Sequence, residues 1–319
     1  MTRPQLARPW GGASNFSDLD GPVHWVDFGG PSGVPPIVMV HGLGGSHLNW
    51  VRVAGPLAER NRVIAVDLPG FGLSPAAGRR TTIHANAELL DRFINVVVGA
   101  PVILMGNSMG GAITILEAAA GPQAVAAVVL VDPALPTPRQ VRDPRVAAQF
   151  LMYVLPGVGE LFVDIGTRFS TDRELVERIV NLCFADPRRS SPEVMDATAE
   201  LVGLRRRLPP QDDAFLQAAR SLVRAGSRPR RFQNIMRSLT QPVLLIHGDR
   251  DRLVPVAAAR KAAVDNPKWD SVILHDVGHT PQLEDPEPVI RGVSRWLDRH
   301  ELGAVTAPVH TTTPDEDNR

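Results

Sequence analysis

The chain's 319 residues, 44% hydrophobic and 21% charged, carry enough apolar material for one large core or two modest ones, which excludes a small scaffold held together by staples. The 34 Lys+Arg cancel the 34 Asp+Glu to a formal net charge of zero, so the long-range positive field of a dedicated nucleic-acid or acidic-membrane binder is missing. A single cysteine, Cys183, cannot close an internal disulfide, and no Cys/His cluster has zinc spacing. Neither an oxidised scaffold nor a structural metal site is expected, and Cys183 reads as a small buried residue.

Residues 1–16 hold two arginines and two prolines but no apolar run, unlike a secretory signal, and nowhere do 18 apolar residues follow one another. The expectation is a cytoplasmic protein with no integral membrane segment. Strand-length apolar runs come at 23–28, 37–40, 62–66, 102–105 and 125–131, then at 243–246 and 271–274. Between them, helical spacing marks 48–59, 83–98, 109–120, 256–264 and 286–299. This alternation predicts an α/β fold, a mostly parallel sheet with helices on both faces. It breaks after Asp132: as far as Thr240 the chain reads as helices separated by Pro and Gly. The expected organisation is therefore core at 20–135, a helical cap at 136–240, core again at 241–302, and flexible tails at 1–19 and 303–319. Residues 146–163 are apolar almost throughout, suited to packing within the cap or to walling a pocket for a small apolar or acyl molecule.

The strongest local signal is Gly106-Asn107-Ser108-Met109-Gly110-Gly111, lying between the strand at 102–105 and the helix at 109–120. A G-x-S-x-G turn from strand to helix strains the serine backbone and thrusts its hydroxyl into the open, while the helix N-terminus favours developing negative charge. A serine hydroxyl is a poor nucleophile at neutral pH, so it requires an imidazole base and an acid to orient that base. His279, in a loop after the strand at 271–274, is the favoured base, and His275 at the strand's end is the competitor. Three aspartates follow strands and qualify as the acid: Asp249, Asp251 and Asp132.

With these residues in place, the chain resembles the alpha/beta-hydrolase superfamily, the likeness running from 23 to 300. It also takes in His41-Gly42-Leu43-Gly44-Gly45 and Asp67-Leu68-Pro69-Gly70-Phe71-Gly72-Leu73-Ser74. The resemblance implies an eight-stranded sheet with the cap inserted between strands six and seven, and it matches the catalytic acid to Asp251. It gives the oxyanion hole to the N–H groups of Leu43 and Met109. His41 is then a structural residue of its loop, His47 faces the cap or solvent, and the 67–74 turn carries no chemistry. Asn107 and Asn49 are expected to make local backbone hydrogen bonds.

The order Ser108, Asp251, His279 is the superfamily's own and disfavours the chymotrypsin-like and subtilisin-like proteases. Serine at 108 argues against the dehalogenase and epoxide-hydrolase branches, which attack with a carboxylate. Carboxylic ester hydrolysis through an acyl-enzyme is the expected activity, with no metal or organic cofactor; the same triad would permit perhydrolysis. The Gly-Asn-Ser-Met-Gly-Gly elbow also resembles that of carbon–carbon hydrolases acting on vinylogous diketone acids, for which Arg142, Arg145 and Arg168 offer cap arginines. Thr280, however, stands where those relatives carry tryptophan. The contrasting class is a non-catalytic ligand-binding protein on this scaffold.

Overall fold

The computed structural model describes residues 4–136, 170–207 and 212–304, together with 148, 152, 153, 155, 157 and 159–161. Eight strands form one sheet: β1 (Ala13–Asp18), β2 (Pro22–Asp27), β3 (Ile37–Val40), β4 (Val63–Val66), β5 (Val102–Asn107), β6 (Val125–Val131), β7 (Val243–Gly248) and β8 (Asp270–Leu274). Their order is β1-β2-β4-β3-β5-β6-β7-β8. β1 pairs antiparallel with β2 and β2 with β4, and every later pairing is parallel. The expected α/β architecture is present, with one strand more than the seven expected runs.

That extra strand corrects the expectation of a flexible tail at 1–19. β1 lies in register along β2, Ala13 opposite Asp27, and Leu6 and Ala7 are buried. Its sequence, Ala-Ser-Asn-Phe-Ser-Asp, holds one large apolar residue, because an edge strand needs its neighbour's hydrogen bonds more than a buried face. The distal tail from 305 lies outside the described residues.

The central strands are buried on both sides, which is why they read as unbroken apolar runs. Val38, Val40, Ile64, Val66 and Leu104 face one layer, built with α2 (Ile83–Phe93) and α3 (Met109–Ala120). Ile37, Met39, Val63, Ala65, Ile103 and Met105 face the other, where α1 (Val51–Ala58) and a C-terminal helix (Pro286–Arg299) close the core with Leu57, Val293 and Trp296. Two expected helices have modified ends. The one at 48–59 starts as a tight 3-10 turn at His47–Trp50. The one at 83–98 widens after Phe93 into a π turn, Ile94–Val98, and stops at Gly99 in the left-handed conformation, where a glycine costs least.

Between β6 and β7 the described residues contain helices and no strand: α4 (Asp172–Cys183), α5 (Pro192–Arg205), α6 (Asp212–Gly226) and α7 (Pro229–Arg237). α4 begins on a reciprocal capping box, Thr171 bonding the Glu174 N–H while Glu174 bonds that of Thr171, an end legible as T-x-x-E. Most of the apolar stretch at 146–163, and the candidate arginines Arg142, Arg145 and Arg168, lie outside the described residues. α8 (Val256–Asp265), α9 (Pro281–Glu284) and α10 (Pro286–Arg299) follow β7. No helix among the described residues is long and apolar enough to cross a membrane.

Candidate active site

In an open parallel sheet, ligands gather beyond the carboxyl ends of the strands. Here the loops that follow β3, β5, β6, β7 and β8 carry, in turn, Leu43, Ser108, Asp132, Asp251 and His279. Ser108 has φ 53° and ψ −117°, a conformation L-residues rarely adopt. It persists because its surroundings hold it. The Ser108 N–H donates to the Val131 carbonyl at 3.2 Å, and its own carbonyl accepts from the N–H groups of Ala112 and Ala134. The turn is tight enough that a Cβ on Gly110 would sit 2.1 Å from the Val40 carbonyl oxygen, so the first turn of α3 rests directly on the end of β3. A Cβ on Gly42 would lie 3.1 Å from that of Ser108, which puts the loop after β3 against the serine. Among the described residues, no oxygen accepts from the N–H of Leu43 or Met109. At Met109 this follows from its place as the first residue of α3.

Asp251 and His279, almost fully buried, meet at 2.7 Å between Oδ2 and Nδ1. The other carboxylate oxygen of Asp251 accepts from the N–H groups of Leu253 and Val254 at 2.8 and 2.9 Å. Although burial pushes this carboxyl upward, the charge of His279 and its hydrogen bond hold it below the ordinary value. With Nδ1 donating to Asp251, Nε2 is the nitrogen left to accept a proton during reaction. The histidine loop is also tied to the serine turn: Asn107 Nδ2 donates to the carbonyls of Val131, at 3.0 Å, and His279, at 3.1 Å. A local bond is the expectation for Asn107; it instead joins the end of β6 to the histidine loop, across 24 and 172 residues.

The competing candidates fall elsewhere. Asp249 pairs with His275 at 2.9 Å and accepts the Asp276 N–H at 2.7 Å, and the His275 side chain is 89% exposed. Second acid and second base are thus hydrogen-bonded to each other. Asp132 is buried, its Oδ1 accepting the Gly248 N–H at 3.0 Å and its Oδ2 without a partner among the described residues. Burial, then the charge of Asp251, pushes its carboxyl well above the ordinary range, opposite in direction to Asp251. His247, whose Nε2 donates to the Val254 carbonyl at 2.8 Å, stands 3.5 Å from Asp251 and 3.6 Å from Asp132.

His41 is buried and doubly used: Nδ1 donates to the Gly42 carbonyl and Nε2 accepts the Leu68 N–H. Asn49 caps its own turn through the Ser46 N–H. His47 corrects the expectation of a cap-facing or solvent residue. It is fully buried, and both its N–H and its ring contact Asp67. Asp67 in turn takes His24 Nδ1 at 2.7 Å and the Leu73 N–H at 2.8 Å. Burial opposes ionisation here, but the charges of His47 and His24 outweigh it and hold the Asp67 carboxyl well below its ordinary value. Ligands tetrahedral around an ion at ~2.1 Å would stand roughly 3.4 Å apart. The observed 2.7 and 2.9 Å separations between ring nitrogens and carboxylate are hydrogen bonds. The sequence places Asp67 in a turn without chemistry but does not reveal its partners, and it gives no sign of His24, a histidine on a buried strand position whose role is visible only once pairing is known.

A model of the Alpha/beta hydrolase family matches residues 37–291. The chain is 28% identical over 278 residues to a dihydrolipoyllysine-residue acetyltransferase component of an acetoin cleaving system from Pseudomonas putida, covering 87% of this chain and 67% of that protein. It is 26% identical to a 2-hydroxy-6-oxononadienedioate/2-hydroxy-6-oxononatrienedioate hydrolase of Cupriavidus pinatubonensis, covering 88% and 92%. With a pimeloyl-[acyl-carrier protein] methyl ester esterase of Xanthomonas oryzae pv. oryzae it shares 29%, covering 82% and 95%.

Proposed function

Because the chain belongs to the alpha/beta hydrolase family and is a hydrolytic enzyme of that fold, we propose that it cleaves carboxylic esters of small or acyl-chain substrates through an acyl-enzyme on Ser108, His279 and Asp251. The observation that carries this is the 2.7 Å pairing of His279 with Asp251, in a loop hydrogen-bonded through Asn107 to the strained turn of Ser108. His279 Nε2 takes the Ser108 proton as Oγ attacks the carbonyl carbon. The N–H groups of Leu43 and Met109 receive the tetrahedral oxyanion, and ionised Asp251 stabilises the imidazolium. The imidazolium then returns its proton to the departing alkoxide. Water, deprotonated by the same ring, releases the acid and restores the serine. Likeness to a methyl ester esterase supports an ester substrate.

Carbon–carbon cleavage of a vinylogous diketone acid is the second reading, favoured by the likeness to the oxononadienedioate hydrolase. A fluorophosphonate probe tests the nucleophile: an adduct on Ser108, absent in Ser108→Ala, is expected, and an unlabelled folded protein favours a ligand-binding role. Side-by-side rates on p-nitrophenyl esters and a vinylogous diketone acid test the substrate. Faster turnover of the diketone would reverse the order of the two readings.

A further inference from the structure

Glu284 ends the short helix α9, five residues beyond His279, and takes no part in the chemistry above. Its side chain is wholly buried, beside the partly exposed Arg189. Its Oε2 accepts the N–H of Gly278 at 2.8 Å and of Ala185 at 3.0 Å. Its Oε1 accepts the N–H of Asp186 at 2.9 Å, with Arg189 Nη1 at 3.4 Å. One carboxylate therefore binds the residue before His279 and two residues of the segment that follows α4, between β6 and β7.

The contact is reinforced on every side. The His279 N–H itself donates to the Cys183 carbonyl at 2.6 Å. A Cβ on Gly278 would meet that same carbonyl oxygen at 2.2 Å and the Ala185 nitrogen at 2.7 Å, so the two backbones touch. Arg189 reaches back to the Asp276 carbonyl and carboxylate at 2.6 and 2.7 Å. From the acid loop, Arg252 donates to the carbonyls of Leu182 and Phe184 at the C-terminus of α4, the end where a cation is favoured. Both loops that would supply the base and the acid thus grip one piece of the interposed helices.

We propose that Glu284 is a positioning residue: its carboxylate locks the 185–186 segment to the backbone of Gly278, the residue before His279, so that the His279 ring meets Asp251 and faces Ser108 only while that segment is docked. This rests on the proposed triad. It makes the interposed helices a structural part of the base, beyond any role as pocket wall. Glu284→Gln keeps the size but replaces one acceptor oxygen with a donor, which must face a backbone N–H on one side of the lock.

The test uses the full chain. In Glu284→Gln, kcat for a p-nitrophenyl ester is expected to fall ~100-fold, the scale of a displaced catalytic group, with KM within a few-fold. The downfield proton resonance of the His279–Asp251 hydrogen bond is expected to vanish from a protein that stays folded. Unchanged kcat with the resonance intact overturns the proposal. Should the variant not fold, amide exchange in the unaltered protein decides: Gly278, Ala185 and Asp186 are expected to open as one unit, and faster, independent exchange of Gly278 refutes the lock. Failure of the triad would appear separately, as absent fluorophosphonate labelling of Ser108 alongside an intact resonance and common exchange.

Discussion

Replacing Asp67 by asparagine should be among the costliest single-atom changes in the core, though Asp67 lies outside the proposed triad. Its Oδ2 collects His24 Nδ1, His47 Nδ1 and the Leu73 N–H, and its Oδ1 collects the His47 N–H at 2.6 Å. Whichever way the new amide turns, its NH₂ faces a backbone donor, Leu73 on one side or His47 on the other, and imidazole tautomers cannot relieve a peptide N–H. One buried donor left unpaired costs about 1–3 kcal/mol, and losing charge-assisted bonds adds about 1.5–3 kcal/mol. The total of about 2.5–6 kcal/mol brackets the roughly 3–5 kcal/mol that breaking a buried ion pair costs. Urea unfolding at pH 7, followed by tryptophan fluorescence, measures it. The pH dependence has a definite sign. The folded carboxyl is held well below its ordinary value, so its contribution is complete above the unfolded value of about 3.9 and is lost as pH falls through the folded one. The share of the gap that this carboxyl supplies should be present at about pH 5 and shrink as acid protonates it. A loss under about 1 kcal/mol at pH 7 would refute the reasoning, since the donors would then have found other acceptors.

Other changes test the remaining elements. Asp251→Asn should lower kcat by about 10⁴ at neutral pH, because an amide facing Nδ1 favours the wrong ring tautomer; ester turnover checks it, and a loss below tenfold would shift the acid's role elsewhere. Gly110→Ala, whose Cβ would fall 2.1 Å from the Val40 carbonyl oxygen, should destabilise by about 1–3 kcal/mol in urea. Glu117, raised to about 7 by burial and then by Asp91, binds more protons folded than unfolded between its ordinary value and 7, so it weakens the fold as pH rises through that window. Glu117→Gln should therefore be the more stable protein at pH 8, with the advantage gone near pH 4. Cys183, expected to be buried, is only half-buried, but desolvation and then the charge of Asp251 push its thiol up to about 12, so it should react more slowly with iodoacetamide at pH 8 in the folded protein than after unfolding, as mass spectrometry would report.

Sheet strands and cover helices were legible because buried parallel strands and amphipathic helices write their environment into local pattern. β6 at 125–131 and α3 at 109–120 match to the residue. β1 was not legible, since an edge strand of Ser and Asn owes its state to a partner. The same distinction separates the site residues. Ser108 announces itself through a local turn motif, and Asp251 and His279 through strand-end loops. Glu284, Asp67 and His24 are acids and a histidine whose partners lie 98, 20 and 43 residues away, and no short-range signal encodes such distances. Asn107 was misjudged for the same reason: one of its two bonds reaches across 172 residues.

The pairing of β6 with β7, Val128 opposite Val243, leaves a mark on biosynthesis. β6, Val-Ala-Ala-Val-Val-Leu-Val, leaves the ribosome long before the strand that covers its open side, because all of α4 to α7 must be made first. Throughout that interval the nascent chain displays an uncapped apolar edge of the kind that recruits other chains. A fragment ending near residue 135 would keep that edge permanently, so halving this gene product at its apparent boundary should yield aggregate from the first half.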